Sequence, residues 1–322
     1  MCDGSRLQRV SVIPVSTFSI VALDPETGAF GIAVASRFFD VGGAVPWAEA
    51  GVGAVATQSF VEPGYGPRAL EMLRHGREAA ETLKALVEAD PARELRQVAI
   101  LDANGSAAAH TGALCIPFAG HRVAAGRSVQ GNLLASDRVC GAMDQAFDRA
   151  RGPFASRLLE ALEAGHRAGG DARGMQSAAL LVVREVSCDE PWRNRVVDLT
   201  VEDHRRPIAE LRRLMRLRSA FDAVDAAQTA LREGRFDEAR ASFAEGMRLS
   251  RGHDEILFWA GIAFTALGDP EEGLRQLRAA LRKNPRWRQV LGRLPPGLAP
   301  PEAVLRKLRA RRGGAARGRA RP

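Results

Sequence analysis

The first clear pattern in the chain is a pair of apolar runs separated by a turn. Phe18–Leu23 and Ala29–Ala35 flank Asp24–Gly28, in which aspartate, proline and glycine favour a tight reversal. Runs of this length on either side of such a turn predict a β-hairpin. Two hydroxyl residues, Ser16 and Thr17, stand directly before the first apolar run. The chain therefore carries hydroxyl side chains at the beginning of a predicted buried strand.

Further strands and helices follow this hairpin up to about residue 217. Val52–Ser59 predicts a central strand, and the apolar spacing after Gly64 predicts one helix that ends at Asp90. The other predicted elements are strands at Gln97–Asp102, Ser106–Thr111, Gly126–Asn132, Ser177–Arg184 and Arg195–Val201, and helices after Ser136 and over Pro153–Gly165. Because the strands come in hairpins and the helices in blocks, we predict antiparallel sheets covered by helices, not a doubly wound parallel sheet.

The region after residue 217 has an internal repeat, whose period of 34 residues is the distance from Gly234 to Gly268. The other matched pairs are Ala239 with Gly273, Phe243 with Leu277, and Gly246 with Ala280. A unit of helix, turn and helix with small residues at the crossings resembles the tetratricopeptide repeat. Because two such repeats rarely stand alone, we expect Ile208–Arg218 and Pro301–Leu308 to cap the stack.

Composition places the chain among globular proteins, because 322 residues with 46% hydrophobic content are enough for two cores. The formal net charge of +8 comes from 46 Lys and Arg against 38 Asp and Glu. Residues 306–322 hold eight basic side chains and no acidic one, so the rest of the chain balances at 38 against 38. Since this tail lacks base-stacking aromatic residues, we expect no specific nucleic-acid binding.

The four cysteines are widely spaced and form no CxxC pair. This spacing favours neither a zinc site nor a disulfide framework, so we expect no metal, no cofactor and a cytoplasmic location. No apolar run approaches the ~18 residues of a membrane span. Val10–Val15 is also too short for the apolar core of a signal peptide. An enzyme and a binding protein are the classes that remain.

Ordered motifs along the first 217 residues resemble a known family. They are the long stretch 19–58, GYGPRALEMLR at 64–74, HTG at 110–112, SVQGNLL at 128–134, GGDARGMQSAALLVV at 169–183 and VDLTVEDH at 197–204. The family is that of domain of unknown function 1028, and the resemblance runs from residue 16 to about residue 217. It implies an α+β fold, the four-layer αββα sandwich of N-terminal-nucleophile hydrolases, without an established substrate. Members commonly begin with methionine directly before the threonine that matches Thr17, and some carry a C-terminal region described as peptidoglycan-binding.

Thr17 is the nucleophile that this resemblance implies. A hydroxyl is a poor nucleophile until a base takes its proton, and a free α-amine on the same residue, with a pKa of about 7.7 to 8.0, is such a base. Fifteen or sixteen residues precede this position, so the hypothesis requires their removal or a later start. Either Ser16 or Thr17 would then be the first residue. The alternative is that Thr17 is an ordinary strand residue.

Other candidate site residues lie at predicted strand ends and in glycine-rich loops. Ser36 and Arg37 end the second strand, where the cation would either stabilise an oxyanion or pair with a structural acid such as Asp40 or Asp171. The candidates for substrate binding are Gln58, Ser59, His110, Gln130, Asn132, Asp171 and Gln176. Each of these has an alternative interpretation as a hydrogen-bonded structural residue.

We therefore expect an N-terminal extension over 1–15, an αββα domain over 16–217, an all-α tetratricopeptide-like domain over 218–290, and a Pro-rich segment with a basic tail over 291–322. The first functional hypothesis is an amide-bond hydrolase that uses a threonine or serine nucleophile on a small amide or peptide substrate. The second is a non-catalytic adaptor whose helical repeats bind a protein or peptide partner. The two hypotheses differ in whether the first domain performs chemistry.

Overall fold

The structure, a computed structural model, describes residues 17–310. The predicted extension 1–15, the candidate Ser16 and the tail from 311 onward lie outside the described residues. The chain divides into two compact units, with the boundary between Arg212 and Arg213. The strands described in the first unit are β1 (Thr17–Leu23), β2 (Phe30–Ser36), β3 (Pro46–Glu49), β4 (Gly53–Ser59), β5 (Arg96–Asp102), β6 (Ala107–Thr111), β7 (Gly120–Ala124), β8 (Arg127–Gly131), β9 (Ser177–Val183) and β10 (Arg195–Val201).

Six of these strands form one sheet in the order β10-β9-β2-β1-β8-β7, and every neighbouring pair is antiparallel. The predicted opening hairpin lies at its centre, with Thr17 paired to Ser36 and Leu23 to Phe30. Asp24 closes the turn, because its carboxylate accepts a hydrogen bond from Thr27 Oγ1 at 2.6 Å. The prediction of a hairpin at this position is confirmed.

The other four strands form a second antiparallel sheet in the order β3-β4-β5-β6. The predicted central strand is β4, and the strands predicted at Gln97–Asp102 and Ser106–Thr111 correspond to β5 and β6, which form a hairpin around Asn104-Gly105. Gly105 adopts a φ of 79°, a conformation that suits glycine in a tight turn. The edge strand β3 was not predicted, because the glycine-rich stretch around it favours turns.

The two sheets pack face to face, and alternation along each strand decides what each side chain contacts. Val21, Ile32 and Val34 on one sheet share a buried apolar cluster with Ala56 and Leu101 on the other. The first unit's helices are α1 (Tyr65–Arg74), α2 (Ala79–Ala89), α3 (Arg138–Arg149) and α4 (Phe154–Arg167). Helices α1 and α2 pack on the outer face of the four-stranded sheet, and α3 and α4 on that of the six-stranded sheet.

The helix predicted from Gly64 to Asp90 is wrong as a single element, because the chain forms α1 and α2 there. Gly76 follows α1 with a φ of 83°, and its N–H donates to the carbonyl oxygen of Leu73. A glycine in this left-handed conformation commonly ends a helix. Tyr65, Leu70 and Leu86 nevertheless bury the predicted apolar stripe against the sheet.

The regular secondary structure described in the second unit is helical. Its helices are the long α5 (Pro207–Arg232), which crosses the boundary, and α6 (Phe236–Leu249), α7 (Asp254–Ala266), α8 (Pro270–Lys283), α9 (Trp287–Leu291) and α10 (Glu302–Arg309). The predicted cap Ile208–Arg218 is therefore only the beginning of a longer helix. The predicted cap Pro301–Leu308 corresponds to α10, whose Val304 packs into the same apolar cluster as Leu277.

Small residues of the repeat lie where its helices cross. A Cβ built on Gly261 of α7 would come within 2.9 Å of the backbone nitrogen of Leu277, and one on Gly273 of α8 within 2.7 Å of the Gly261 oxygen. Gly246 of α6 approaches the carbonyl oxygen of Ala220 in α5 in the same way. The repeat period therefore places small residues at both helix crossings, as the sequence pattern predicts.

Candidate functional site

A row of polar side chains crosses one end of the six-stranded sheet. Ser36 pairs with Thr17 on one side and with Ser177 on the other. Asn132 directly follows β8, and its N–H donates to the carbonyl oxygen of Thr17 at 3.0 Å. All four residues are buried, with at most 1% of their surface exposed. Because they share the face that carries Val21 and Val34, their side chains face the second sheet.

A second polar row lies opposite on the four-stranded sheet. Gln58 pairs with Gln97, and Gln97 pairs with Thr111. Gln58 and Gln97 are both fully buried. In each strand the glutamine lies on the same face as Ala56 or Leu101, which belong to the core between the sheets. The polar end of the space between the sheets is therefore formed by both sheets.

Side-chain amides connect the two rows. Gln58 Nε2 donates to the carbonyl oxygen of Thr17 at 3.2 Å and to Gln97 Oε1 at 2.7 Å. Asn132 Nδ2 donates to the same Gln97 oxygen at 2.9 Å. Ser19, the next residue of β1 to face the second sheet, donates to Gln58 Oε1 at 2.6 Å. The main-chain carbonyl of Thr17 is therefore held from both sheets.

The hydroxyl of Thr17 has a defined neighbour. Its Oγ1 donates to Ser36 Oγ at 3.2 Å across the hairpin. Ser177 is engaged differently, since its hydroxyl donates to the carbonyl oxygen of Phe38 at 2.5 Å and accepts from the N–H of Val41. Chemically, the row offers one hydroxyl pair at the start of β1, among hydroxyl and amide side chains of both sheets.

Asp171 lies at the end of this polar row, but it takes no part in the hydrogen bonds that connect the two rows. Its carboxylate accepts hydrogen bonds from the N–H of Arg37 at 3.1 Å and forms an ion pair with Arg173 at 2.8 Å. The guanidinium of Arg37 is exposed and donates to the carbonyl oxygen of Met175 at 3.4 Å. The contact of Arg37 with Asp171 therefore uses its main chain, whereas its cation is on the surface.

Three other predicted site residues take different positions. The N–H of Gln176 donates to the carbonyl oxygen of Ser36 at 2.8 Å, which fixes the strand end beside Thr17. Ser59 ends β4 buried, with a φ of 70° that is unusual for a residue other than glycine. His110 does not join the group, because its side chain lies on the opposite face of β6 from Thr111 and contacts the carbonyl oxygen of Arg93.

Sequence reasoning missed Gln97, Ser19 and Thr111. Gln97 is the centre of the network, and it also donates to Thr111 Oγ1 at 2.9 Å and to the carbonyl oxygen of Gly131 at 2.9 Å. Thr111 Oγ1 in turn contacts His121 Nδ1 at 2.9 Å at the rim. Burial, with a smaller effect of the neighbouring His110, lowers the pKa of His121. A glutamine on the inward face of an otherwise apolar strand was the available signal.

Within residues 17–310, no three side chains of the His, Cys, Asp and Glu types come together in a way that would hold a metal ion. Over the same residues, no helix is both long and apolar enough to cross a membrane.

The fold and the polar rows define an α+β protein with paired antiparallel sheets and a helical-repeat unit. Residues 17–211 match the model of the Family of unknown function (DUF1028), and the chain belongs to that family. Residues 230–294 match a tetratricopeptide repeat model, in agreement with the predicted repeat. The predicted membership of this family and the predicted tetratricopeptide-like repeat are thereby confirmed.

A crystal structure offers a further comparison. Protein SPO2555 from Silicibacter pomeroyi, which carries the same family name, is 36% identical to this chain with a TM-score of 0.56. The match covers 62% of this chain and 84% of that one. None of the curated proteins matches the chain. The comparisons therefore give the family and its fold.

Proposed function

We propose that the first unit is a four-layer αββα sandwich of the N-terminal-nucleophile type, and that it hydrolyses an amide bond through Thr17. One observation carries the proposal: the hydroxyl of Thr17 opens β1, a middle strand of its sheet, within 3.2 Å of Ser36 Oγ, at the polar end of the space between the sheets. A scaffold would be more stable with apolar residues there, because buried polar side chains must each find a partner.

The proposed reaction begins with removal of residues 1–16, which gives Thr17 a free α-amine. This amine accepts the proton of Oγ1 as the oxygen attacks the carbonyl carbon of the amide. The C–N bond of the tetrahedral intermediate then breaks, the leaving amine takes that proton, and an ester remains on Oγ1. A water molecule deprotonated by the same amine attacks the ester, which releases the acid and restores Thr17.

The surrounding residues have distinct roles in this proposal. Gln58 and Asn132 are positioning residues, because they hold the carbonyl oxygen of Thr17. Ser36 accepts the hydrogen bond of the nucleophilic hydroxyl, and the exposed cation of Arg37 is available to bind an acidic group at the edge of the site. If Ser16 were the mature terminus, its hydroxyl would attack instead, and Thr17 would remain a strand residue.

The matched test compares two preparations of the protein on a panel of acyl-amino acids, dipeptides and simple amides. One is the full chain, and the other is expressed with a single methionine before Thr17, which aminopeptidase removes. We expect hydrolysis only in the preparation that begins at Thr17, because only there is the base available. Equal activity of a full chain that keeps residues 1–16 would contradict the mechanism.

We propose peptide binding by the helical unit as a second function, because one specific feature favours it. A cavity of about 570 Å³ lies between α5, α7 and the segment 297–301, and its lining is mostly apolar. Trp259 and Phe243 supply aromatic surface, whereas Gln228 and Arg232 supply hydrogen-bond donors. This combination suits an extended peptide with an acidic or carbonyl-rich end.

Direct binding of labelled peptides, including a muropeptide because of the peptidoglycan-binding resemblance, tests this second function. Trp259→Ala in the full chain should weaken binding about ten-fold or more, as is common for an aromatic anchor that becomes buried in an interface. Trp192→Ala is the matched control, since Trp192 is 74% exposed in the other unit. If both variants lose peptide affinity equally, or if neither substitution changes the affinity, the cavity is not the binding site.

A further inference from the structure

Three consecutive inward-facing residues at β8 each carry a buried oxygen without a hydrogen-bond partner. These atoms are Ser128 Oγ, Gln130 Oε1 and Asn132 Oδ1. The residues are 0%, 0% and 1% exposed. A buried acceptor without a donor is costly, and native proteins contain few of them. Three in succession on one strand, beside the strand that begins with Thr17, form one feature of the molecule.

The hydrogen bonds of the neighbouring nitrogens fix these amide oxygens as acceptors. Gln130 Nε2 donates to the carbonyl oxygen of Ala56 at 2.9 Å, and a carbonyl oxygen only accepts. Gln97 Nε2 donates to the carbonyl oxygen of Gly131, so Gln97 Oε1 is the acceptor of Asn132 Nδ2. Rotating either amide by half a turn would place two acceptors against each other. Gln130 Oε1 and Asn132 Oδ1 therefore require a donor from elsewhere.

The surroundings of these oxygens restrict what such a donor can be. Strand β8 packs against β5 and β6, whose inward side chains include those of Gln97, Ala99, Ala109 and Thr111. Within residues 17–310, the polar residues that face inward here include Thr17, Ser19, Ser36, Gln58, Gln97, Thr111, Ser128, Gln130, Asn132 and Ser177, and none of these is charged. The nearby buried carboxylate of Asp171 is already paired with Arg173.

An ion in this space would lose its hydration without gaining a counter-charge, which is far less favourable than the transfer of a neutral group. A carboxylate would in addition place its oxygens against the acceptor oxygens of β8. A neutral carboxamide or urea brings two or more N–H donors and no net charge. Its hydrogen bonds would satisfy acceptors that the chain itself leaves unpaired.

We infer that the β8 oxygens form a recognition site for an uncharged N–H donor group, which makes neutral carboxamides and ureas the substrate class of this end of the protein. That such compounds are substrates rests on the proposed function of Thr17, whereas their binding at β8 does not. Since neighbouring strands are about 4.8 Å apart, a group bound at Asn132 lies about one strand spacing from Thr17. The recognised amide is then next to the bond that is cut.

Three isosteric probes separate charge from shape: acetamide, acetate and acetamidinium. Saturation-transfer NMR with the full chain and with protein beginning at Thr17 measures their binding directly. We expect transfer to acetamide, and to urea, in at least one form, with little transfer to either ion. Equal transfer to all three probes, preference for acetate, or transfer to none in either form would overturn the inference.

Two variants assign the signal to β8. Gln130→Met removes the acceptor at nearly constant length and should reduce the acetamide signal about five-fold. Gln276→Met in α8 makes the same chemical change outside the site and should leave the signal intact. If Gln130→Met fails to fold, Ser128→Ala removes only one unpaired oxygen and should still reduce the signal. A full signal in the folded β8 variants would contradict the assignment.

The same binding experiment in Thr17→Val separates this inference from the proposed function. Selective acetamide binding by a protein that hydrolyses no amide would support the recognition site and reject the nucleophile. Amide hydrolysis that depends on Thr17, without discrimination among the three probes, would support the nucleophile and reject the recognition site.

Discussion

The two ends of the space between the sheets are made by the same strands but have opposite chemistry. Strand β1 passes from Thr17 and Ser19 to Val21, and β5 passes from Gln97 to Leu101, on a single face. At the apolar end these side chains interlock with those of the opposite sheet. At the polar end they exchange hydrogen bonds between side chains, and some buried oxygens have no partner.

The difference separates what stabilises the fold from what the site requires. Burial of a large aliphatic side chain contributes ~1.5 to 3 kcal/mol, whereas a buried hydrogen bond contributes only ~1 kcal/mol net. The polar end therefore adds less stability for the same volume, and it loses stability when a partner is missing. Such an arrangement is typical of a binding or catalytic site placed on a rigid core.

The largest expected effect is on activity at the polar end. Thr17→Val removes the hydroxyl at nearly constant volume, so we expect amide hydrolysis to fall at least ~10³-fold while the fold persists. Thr57→Val is the matched control, because Thr57 is buried in β4 but faces the outer helices, where it donates to the carbonyl oxygen of Glu62. Comparable activity of the two variants in a steady-state assay would remove Thr17 from the chemistry.

The next effect concerns stability at the apolar end. Leu101 is fully buried between the sheets, so Leu101→Ala should lower the free energy of unfolding by ~2 to 5 kcal/mol through lost burial and cavity formation. Urea denaturation monitored by circular dichroism measures this change. Leu298→Ala, at a side chain that is 54% exposed, is the control and should have little effect. A small decrease in the free energy of unfolding for Leu101→Ala would mean that the apolar end contributes little to the stability of the fold.

At Gln97 we expect a smaller loss of stability than at Leu101, together with a loss of activity. Gln97→Leu leaves the donors of Gln58 and Asn132 without their shared acceptor, which should cost ~1 to 3 kcal/mol. Because those two residues also hold the carbonyl oxygen of Thr17, kcat should fall more than KM rises. Denaturation and steady-state kinetics on the same preparation check this pair of outcomes. A stable variant with unchanged kcat would show that the network does not position Thr17.

The smallest effect concerns the pH dependence of stability. The carboxyl concerned is that of Asp90, on the outer face of the four-stranded sheet. It accepts hydrogen bonds from Arg96 Nε at 2.8 Å and from Tyr65 Oη at 3.0 Å. Burial acts to raise the pKa of Asp90, but hydrogen bonds from Arg96 and the N–H of Ala92 outweigh it, so the pKa is lowered.

A carboxyl whose pKa is lower in the folded state stabilises the fold above its unfolded pKa of about 4, and this contribution is lost as the pH falls through the folded pKa. Asp90→Asn should therefore reduce the decrease in Tm between about pH 5 and pH 3. Gln97→Leu should keep the decrease of the unaltered chain. A pH dependence that changes with Gln97 and not with Asp90 would contradict this assignment.

Local sequence patterns predicted most of the fold, and the failures have physical reasons. The hairpins were found because alternation and a glycine turn lie within one short stretch, as at Asn104-Gly105. Strand β7 was missed because it is short, exposed and at the sheet edge, where no apolar pattern is needed. The break between α1 and α2 depends on the backbone conformation of Gly76, which the pattern of apolar residues does not predict.

The site was only partly predictable, because its members come from both sheets. Gln58, Gln130 and Asn132 stood out as amides beside glycines or at strand ends. Gln97 joins them only through sheet packing, which no local pattern encodes. His110 and Thr111 illustrate how strongly one position matters: they are adjacent in β6, yet only Thr111 faces the network.

The most direct test of the central claim is the N-terminal residue of the active protein. Intact-mass measurement and N-terminal sequencing of a preparation with measured amide hydrolysis identify it. We predict that the active molecules begin at Thr17, with residues 1–16 absent. Active molecules whose Thr17 nitrogen is still joined to Ser16 would contradict the proposed mechanism.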